Sequence, residues 1–276
     1  MKLERILREV YSEPWLIRPQ MHATICAIVE AHVNGTADHK AIAAEFEDQE
    51  EVELQMRDEV AVVPVHGVIG KGVSALEKSS GVTDVRDVEK MLSFCRQEQG
   101  ISAVVLDINS PGGTVAGVPE LADSIMALTA DKPVFAHVDE MACSAAYWLA
   151  SQCKMIAMDQ SAIVGSIGVY LPIADQSERY RQQGVKMEII KGGKFKGMGI
   201  PGTSLTDEQR EQLQSRVDYI YGQFKAAVRR GRGKEVSDED MQGQDFFGEQ
   251  AKEAGLVDAI MSLDETVEEV KKYITK

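Results

Sequence analysis

The sequence predicts an α/β protein built on a largely parallel sheet and preceded by a helical N-terminal arm. Short β-branched runs at residues 60–65 and 104–108 are separated by helical periodicity over residues 82–97, the strand–helix–strand spacing of crossover units. Two more apolar runs, 134–138 and 155–158, flank another helical stretch. Before residue 56 such runs are missing, and apolar residues recur at helical intervals instead.

In chain order, Leu3, Ile6, Leu7 and Val10 share one helix face. After Pro14, the residues Met21, Ile25, Ile28 and Val29 repeat the spacing until Asn34-Gly35 ends it. From Glu45 to Glu53 six of nine residues are carboxylates, the pattern of a solvated linker. A boundary near residue 56 divides a helical arm with its acidic linker (1–56) from the main domain (57–276). After the core strands, residues 185–190 read as one more strand. Thr206-Asp207-Glu208-Gln209 is a capping box opening an amphipathic helix through Leu213, Val217, Ile220, Phe224 and Val228 to about Arg230, where Gly231 and Gly233 end it. Gly255-Leu256-Val257-Asp258 and an acidic last helix pack and cap the end.

Of 276 residues, 44% are hydrophobic and 27% charged, with 23 Gly and 8 Pro. That composition excludes collagen-like, disordered and disulfide-scaffold classes. A net charge of −14 repels a phosphate backbone and argues against nucleic acid as a partner. Cys26, Cys95, Cys143 and Cys153 form no CxxC pair and no metal-ligand spacing, so reduced thiols and no metal or cofactor are expected. Met1-Lys2-Leu3-Glu4-Arg5 does not become a signal peptide. The most apolar stretch, 141–158, is broken by Ser144, Ser151, Gln152 and Lys154, so neither export nor a membrane anchor is expected, and the location expected is cytoplasmic.

Asn109-Ser110-Pro111-Gly112-Gly113 follows a strand directly. Its glycines let backbone amides approach a ligand without a Cβ between, as an oxyanion requires; a plain tight turn is the equal alternative. Ser144 stands among small residues where a strand gives way to a helix, as a nucleophile or as a helix cap. The neighbouring Cys143 reads as a buried, inert thiol. A serine nucleophile needs a base, yet His22, His32, His39, His66 and His137 all precede Ser144. His137, seven residues earlier, reads as a packed or surface residue. Lysine serves instead when its amine is taken out of water. Lys191, Lys194 and Lys196 follow the predicted strand; alternation puts Lys194 and Lys196 on one face without choosing between them, and a solvated basic hairpin is the plain reading.

These elements in this order resemble the S49 peptidase family, the signal peptide peptidase A group, over residues 58–260. The resemblance rests on Pro64-Val65-His66-Gly67, Ile108-Asn109-Ser110-Pro111-Gly112-Gly113, Ala142-Cys143-Ser144-Ala145-Ala146-Tyr147, Gly165-Ser166-Ile167-Gly168-Val169, Lys191-Gly192-Gly193-Lys194-Phe195-Lys196 and Gly255-Leu256-Val257-Asp258. It implies the ClpP/crotonase-like superhelix of repeated β-β-α units. It also implies Ser144 as nucleophile, a lysine about fifty residues later as general base, which matches Lys196, Ser166 as the hydroxyl orienting that amine, and Gly113 with the Ala145 amide as oxyanion hole.

The first helices, with Glu13-Pro14-Trp15, resemble the head maturation proteases of tailed phages and prophages, which are similar to minor capsid protein C. That likeness implies a serine endopeptidase with a Ser–Lys dyad, cleaving scaffold and capsid proteins as a homo-oligomeric ring in the host cytoplasm or the procapsid interior. Three alternatives stand beside it. One is a soluble cytoplasmic peptidase of the same family acting on signal-peptide remnants or oligopeptides. The others are a crotonase-like acyl-CoA enzyme and a catalytically silent scaffold-binding protein.

Overall fold

The computed structural model describes residues 10–11, 13–36, 53–74, 77–78, 81–233 and 236–275. Most of the first expected helix and nearly all of the acidic run lie outside the described residues. Three parallel strands form the centre of the main sheet: β3 (Val60–His66), β6 (Ala103–Ser110) and β8 (Val134–Cys143). β2 (Gln55–Arg57) pairs antiparallel with β3. Away from β6 the partners of β8 divide along its length. Its first half pairs with β9 (Ile156–Met158), which takes β12 (Ala259–Ile260). Its second half pairs with β10 (Ile163–Gly165), which takes β11 (Asp245–Phe247) antiparallel.

A smaller sheet runs in the order β1 (Trp15–Ile17), β7 (Gly112–Thr114), β4 (Ile69–Gly70), β5 (Thr83–Asp84). Two central strands each lead into this sheet and then into a helix. β3 continues to β4, β5 and α2 (Val85–Gln97), while β6 continues to β7 and α3 (Val118–Asp131). This is the expected repeat of β-β-α units. The arm contributes α1 (Pro19–Val33), as its spacing predicts, and also β1, which the spacing does not predict.

Alternate residues of the central strands feed two cores. Val104, Leu106 and Ile108 pack with Leu92 of α2 and Ile125 of α3. Ala103 and Val105 pack with Val267 and Val270 of α8 (Leu263–Ile274), the helix after α7 (Gly248–Glu253). Burial on both faces explains why these strands read as unbroken apolar runs rather than alternating ones.

α4 (Ala145–Ala150) follows β8, and all six of its residues are buried. Trp148 stacks on Phe224 of α6 (Asp207–Arg232), centroids 4.7 Å apart and planes 9° from parallel. The Tyr147 hydroxyl donates to the Leu256 carbonyl at 2.9 Å. Arg232 grips Asp258 with both terminal nitrogens, at 2.9 and 2.8 Å, while Asp258 also accepts the Ile156 amide at 2.7 Å. The Gly255-Leu256-Val257-Asp258 motif thus ties α4, α6 and β9 together.

α6 opens with the expected Thr206 capping box but runs to Arg232, past Gly231. A Cβ on Gly231 would lie 1.6 Å from the Ser151 carbonyl oxygen, so the glycine lets the helix pass rather than stop. No strand forms over residues 185–190. Between β10 and α6 the only helix is α5 (Ser177–Gln182), and Ile190 is 99% exposed. The edge of β10 that a following strand would use is taken by β11. Among the described residues no helix is long and apolar enough to cross a membrane.

Replacing Phe224 with Ala is expected to cost about 3–5 kcal/mol. It removes a fully buried ring and the support of α4. Urea denaturation monitored by tryptophan fluorescence measures it, and a loss below about 1 kcal/mol would show that the stack does not hold α4.

Candidate active site

Ser144 joins β8 to α4 at φ 55° and ψ −114° and is 1% exposed. A side chain at such an angle costs about 1–3 kcal/mol. The turn is pinned from both sides: the Ser144 amide donates to the Gly165 carbonyl at 2.9 Å, and the Ser144 carbonyl accepts the Trp148 amide at 2.9 Å. Ser166, at the end of β10, also has a positive φ, 51°, is 6% exposed, and donates its amide to the Gln244 carbonyl at 2.8 Å. Cys143 pairs with Gly165 across β8 and β10, so the two serines are the next residues of adjacent parallel strands.

The glycine turn arrives from the other side of β8. Ser110, at the end of β6, pairs with Ala142, and its Oγ accepts the Gly112 amide at 3.2 Å. A Cβ on Gly112, at φ 101°, would lie 2.9 Å from the Cys143 carbonyl and 3.0 Å from Ser144 Cβ, and one on Gly113 would lie 1.9 Å from the Ile69 carbonyl. Only glycine fits either place. Ala145 is the first residue of α4, so its amide has no carbonyl to bond within the helix. The structure therefore brings together Ser144, Ser166, Gly113 and Ala145 at the carboxyl ends of parallel strands, where open α/β sheets bind ligands.

Lys196 is not part of this gathering. It lies exposed in the irregular segment before α6, with its amide bonded to the Gly193 carbonyl at 3.2 Å. Lys194 pairs with Glu208 at 2.6 Å, and Lys191 donates to the Lys194 carbonyl at 2.9 Å. The strand predicted to place these lysines does not form, and all three are exposed.

His137 is no alternative base. Seven residues of strand separate it from Ser144, about 23 Å. It is 2% exposed, with Nδ1 3.7 Å from Asp107, and Nε2 3.4 Å from Asp159 and 3.3 Å from the Met261 carbonyl. Asp107 also meets His66 at 3.1 Å. Burial pushes the His137 imidazole down, but the neighbouring carboxylates of Asp107 and Asp159 outweigh it and raise its pKa. Burial raises Asp107 too, yet the two histidines hold it far below the usual carboxylate range. Sequence reasoning missed this cluster, which exists only because the register sets Asp107 beside His137. Burial pushes the Cys143 thiol up to about 12, which leaves it inert.

The profile of peptidase family S49 matches residues 126–275, which include Ser144 and Ser166. The chain belongs to peptidase family S49. This S49 chain is 32% identical over 214 residues to the Capsid assembly protease C of Escherichia phage lambda, covering 77% of the chain and 49% of that protein. It is 32% identical over 211 residues to the Head-tail preconnector protein GP5 of Enterobacteria phage P21, covering 75% and 42%. The chain spans about half or less of the length of these two relatives. An enoyl-CoA hydratase of Mycobacterium smegmatis shares its fold, with a TM-score of 0.51 and 13% identity over 83% of this chain and 78% of that one.

His137 binds its proton more tightly in the folded protein than in the unfolded one. Its contribution to stability is therefore fully present below about pH 6.5, the unfolded value, and is lost as pH rises through the raised folded value. Asp107 works oppositely: its contribution is present above about pH 3.9 and lost as pH falls through its lowered folded value. The melting temperature is expected to fall as pH rises above about 6.5, and to fall less steeply in His137→Gln. Equal slopes in calorimetry of the two proteins would remove His137 as the cause.

Proposed function

We propose that the chain is a serine endopeptidase with a Ser144–Lys196 dyad that cleaves scaffold or capsid proteins during phage head maturation. The observation that carries this reading is a strained, buried serine beside a second strained serine, with glycine and helix-start amides around them. Ser144 Oγ attacks a peptide carbonyl as Lys196 takes its proton, and Ser166 holds the lysine amine in line. The amides of Gly113 and Ala145 receive the oxyanion, one such donor being worth about 10²–10³ in rate. Lys196 returns the proton to the leaving amine, and water then releases the acyl group. The two phage relatives, a capsid assembly protease and a head-tail preconnector protein, support the capsid setting.

In this reading the segment before α6 moves to deliver Lys196. It exposes Val185, Met187, Ile190, Phe195 and Ile200, apolar area that is buried when copies of the chain pack into a ring. Such packing also takes the lysine out of water, as its role as a base requires.

A fluorophosphonate probe is expected to label Ser144 in the assembled protein. Ser144→Ala is expected to lose about 10³-fold or more of peptide-bond cleavage, and Lys196→Ala about 10²–10⁴-fold, read by mass spectrometry of a scaffold or casein substrate. Cleavage persisting in either variant would refute the dyad. An acyl-CoA enzyme on this fold would keep its activity in Ser144→Ala, and a silent binding protein would show neither labelling nor cleavage.

A further inference from the structure

β1 lies in an unexpected place. Its three residues run antiparallel to the glycine strand, with Ile17 opposite Gly112, Leu16 opposite Gly113 and Trp15 opposite Thr114. The Arg18 amide donates to the Pro111 carbonyl at 3.0 Å. By the alternation of an antiparallel ladder, the next bonded pair is then Leu16 with Gly113, so the Gly113 amide donates to the Leu16 carbonyl. The point where Gly112 would carry a Cβ is 2.1 Å from that carbonyl oxygen and 3.0 Å from Ser144 Cβ. The Leu16 carbonyl therefore lies beside the serine, on the amide assigned above to the oxyanion.

The other edge of β1 is bonded as well. The Trp15 amide donates to the Tyr170 carbonyl at 2.8 Å, and the Tyr170 amide donates back at 3.2 Å. An extended segment held by main-chain bonds on both edges, with its side chains in pockets, is how a peptide adds itself to a sheet. Leu16 is 0%, Ile17 2% and Trp15 4% exposed.

The hold is imperfect. Among the described residues, three buried side-chain polar atoms lack a hydrogen-bond partner, and two of them, Arg18 Nε and the Tyr170 hydroxyl, flank this strand. Such atoms oppose docking. Two ion pairs, Arg18–Asp245 at 2.9 Å and Glu13–Arg216 at 2.8 Å, fasten the strand at its ends.

We propose that β1 is an internal substrate mimic: it occupies the groove between β7 and Tyr170 where an extended peptide binds, competes with that peptide for the site, and marks a preference for a branched aliphatic residue at the position of Leu16. This rests on the peptidase reading for the identity of the site, but its test reads binding rather than turnover. In full-length Ser144→Ala, a fluorescein-labelled peptide Glu-Pro-Trp-Leu-Ile-Arg is titrated by anisotropy, with and without the added pair Glu13→Ala/Arg18→Ala, which loosens the strand's ends.

The expected results are about fivefold tighter peptide binding with the loosened arm, loss of binding when the peptide's Leu is changed to Asp, and faster hydrogen exchange of residues 13–18 when peptide is bound. Peptide affinity indifferent to the arm substitutions, or exchange of residues 13–18 unchanged at saturating peptide, would overturn the proposal. If Ser144 in the parent chain resists fluorophosphonate labelling even with the arm loosened, while peptide and arm still compete, the peptidase reading falls and the groove assignment stands.

Discussion

At φ 55° a serine clashes with its own backbone, and a strand-to-helix turn holds that shape only where neighbouring elements leave it no other. Here β10 supplies the Gly165 carbonyl to the Ser144 amide, and α4 supplies the Trp148 amide to its carbonyl. α4 is fixed in turn by the Trp148–Phe224 stack and by the Tyr147 hydroxyl on Leu256. Distant parts of the sequence are therefore bound into one angle. The Arg232–Asp258 fork, the capping box of α6 and the glycine at 231 keep α6 in the place that Trp148 needs.

Much of this was legible beforehand for one reason: strands buried on both faces leave unbroken β-branched runs, so β3, β6 and β8 stand out. Ser144 and the glycine turn were legible because each sits immediately after such a strand, whereas Ser166 follows only the three-residue β10 and was legible through the family resemblance alone. β1 was not. Three residues between Pro14 and Arg18 are too few to show alternation, and their partner, β7, is itself only Gly112–Thr114. The His66–Asp107–His137–Asp159 cluster was hidden for a related reason, since no local spacing records which residues face each other across a sheet. Residues 185–190 misled in the opposite direction, because their apolar content suits a strand but says nothing of whether an edge is free.

The segment that carries Lys196 differs from the arm in what holds it. The arm buries Trp15, Leu16 and Ile17 against the sheet. The lysine segment has glycines at 193, 197, 199 and 202 with positive φ and exposes its apolar side chains. Glycine-rich chain loses more entropy on ordering than other chain, so this segment orders only where burial offsets that loss. Within one chain the serines and the glycine-turn and helix-start amides stand together while Lys196 stays exposed, and β1 already rests on one of those amides.

The fold alone does not separate peptidase from acyl-CoA chemistry, since the enoyl-CoA hydratase likeness extends over most of the chain. The backbone angles do bear on it. Glycine reaches φ near +50° without the penalty that a Cβ brings, so a protein whose task at this turn were only to present amides, or only to bind a scaffold, would be better stabilised with glycine at 144 and 166. Both positions instead carry a hydroxyl at a strained angle, next to each other on adjacent strands. Strain kept twice in one place, where relief needs only the loss of a side chain, argues that the hydroxyls themselves are what the turns are built to hold.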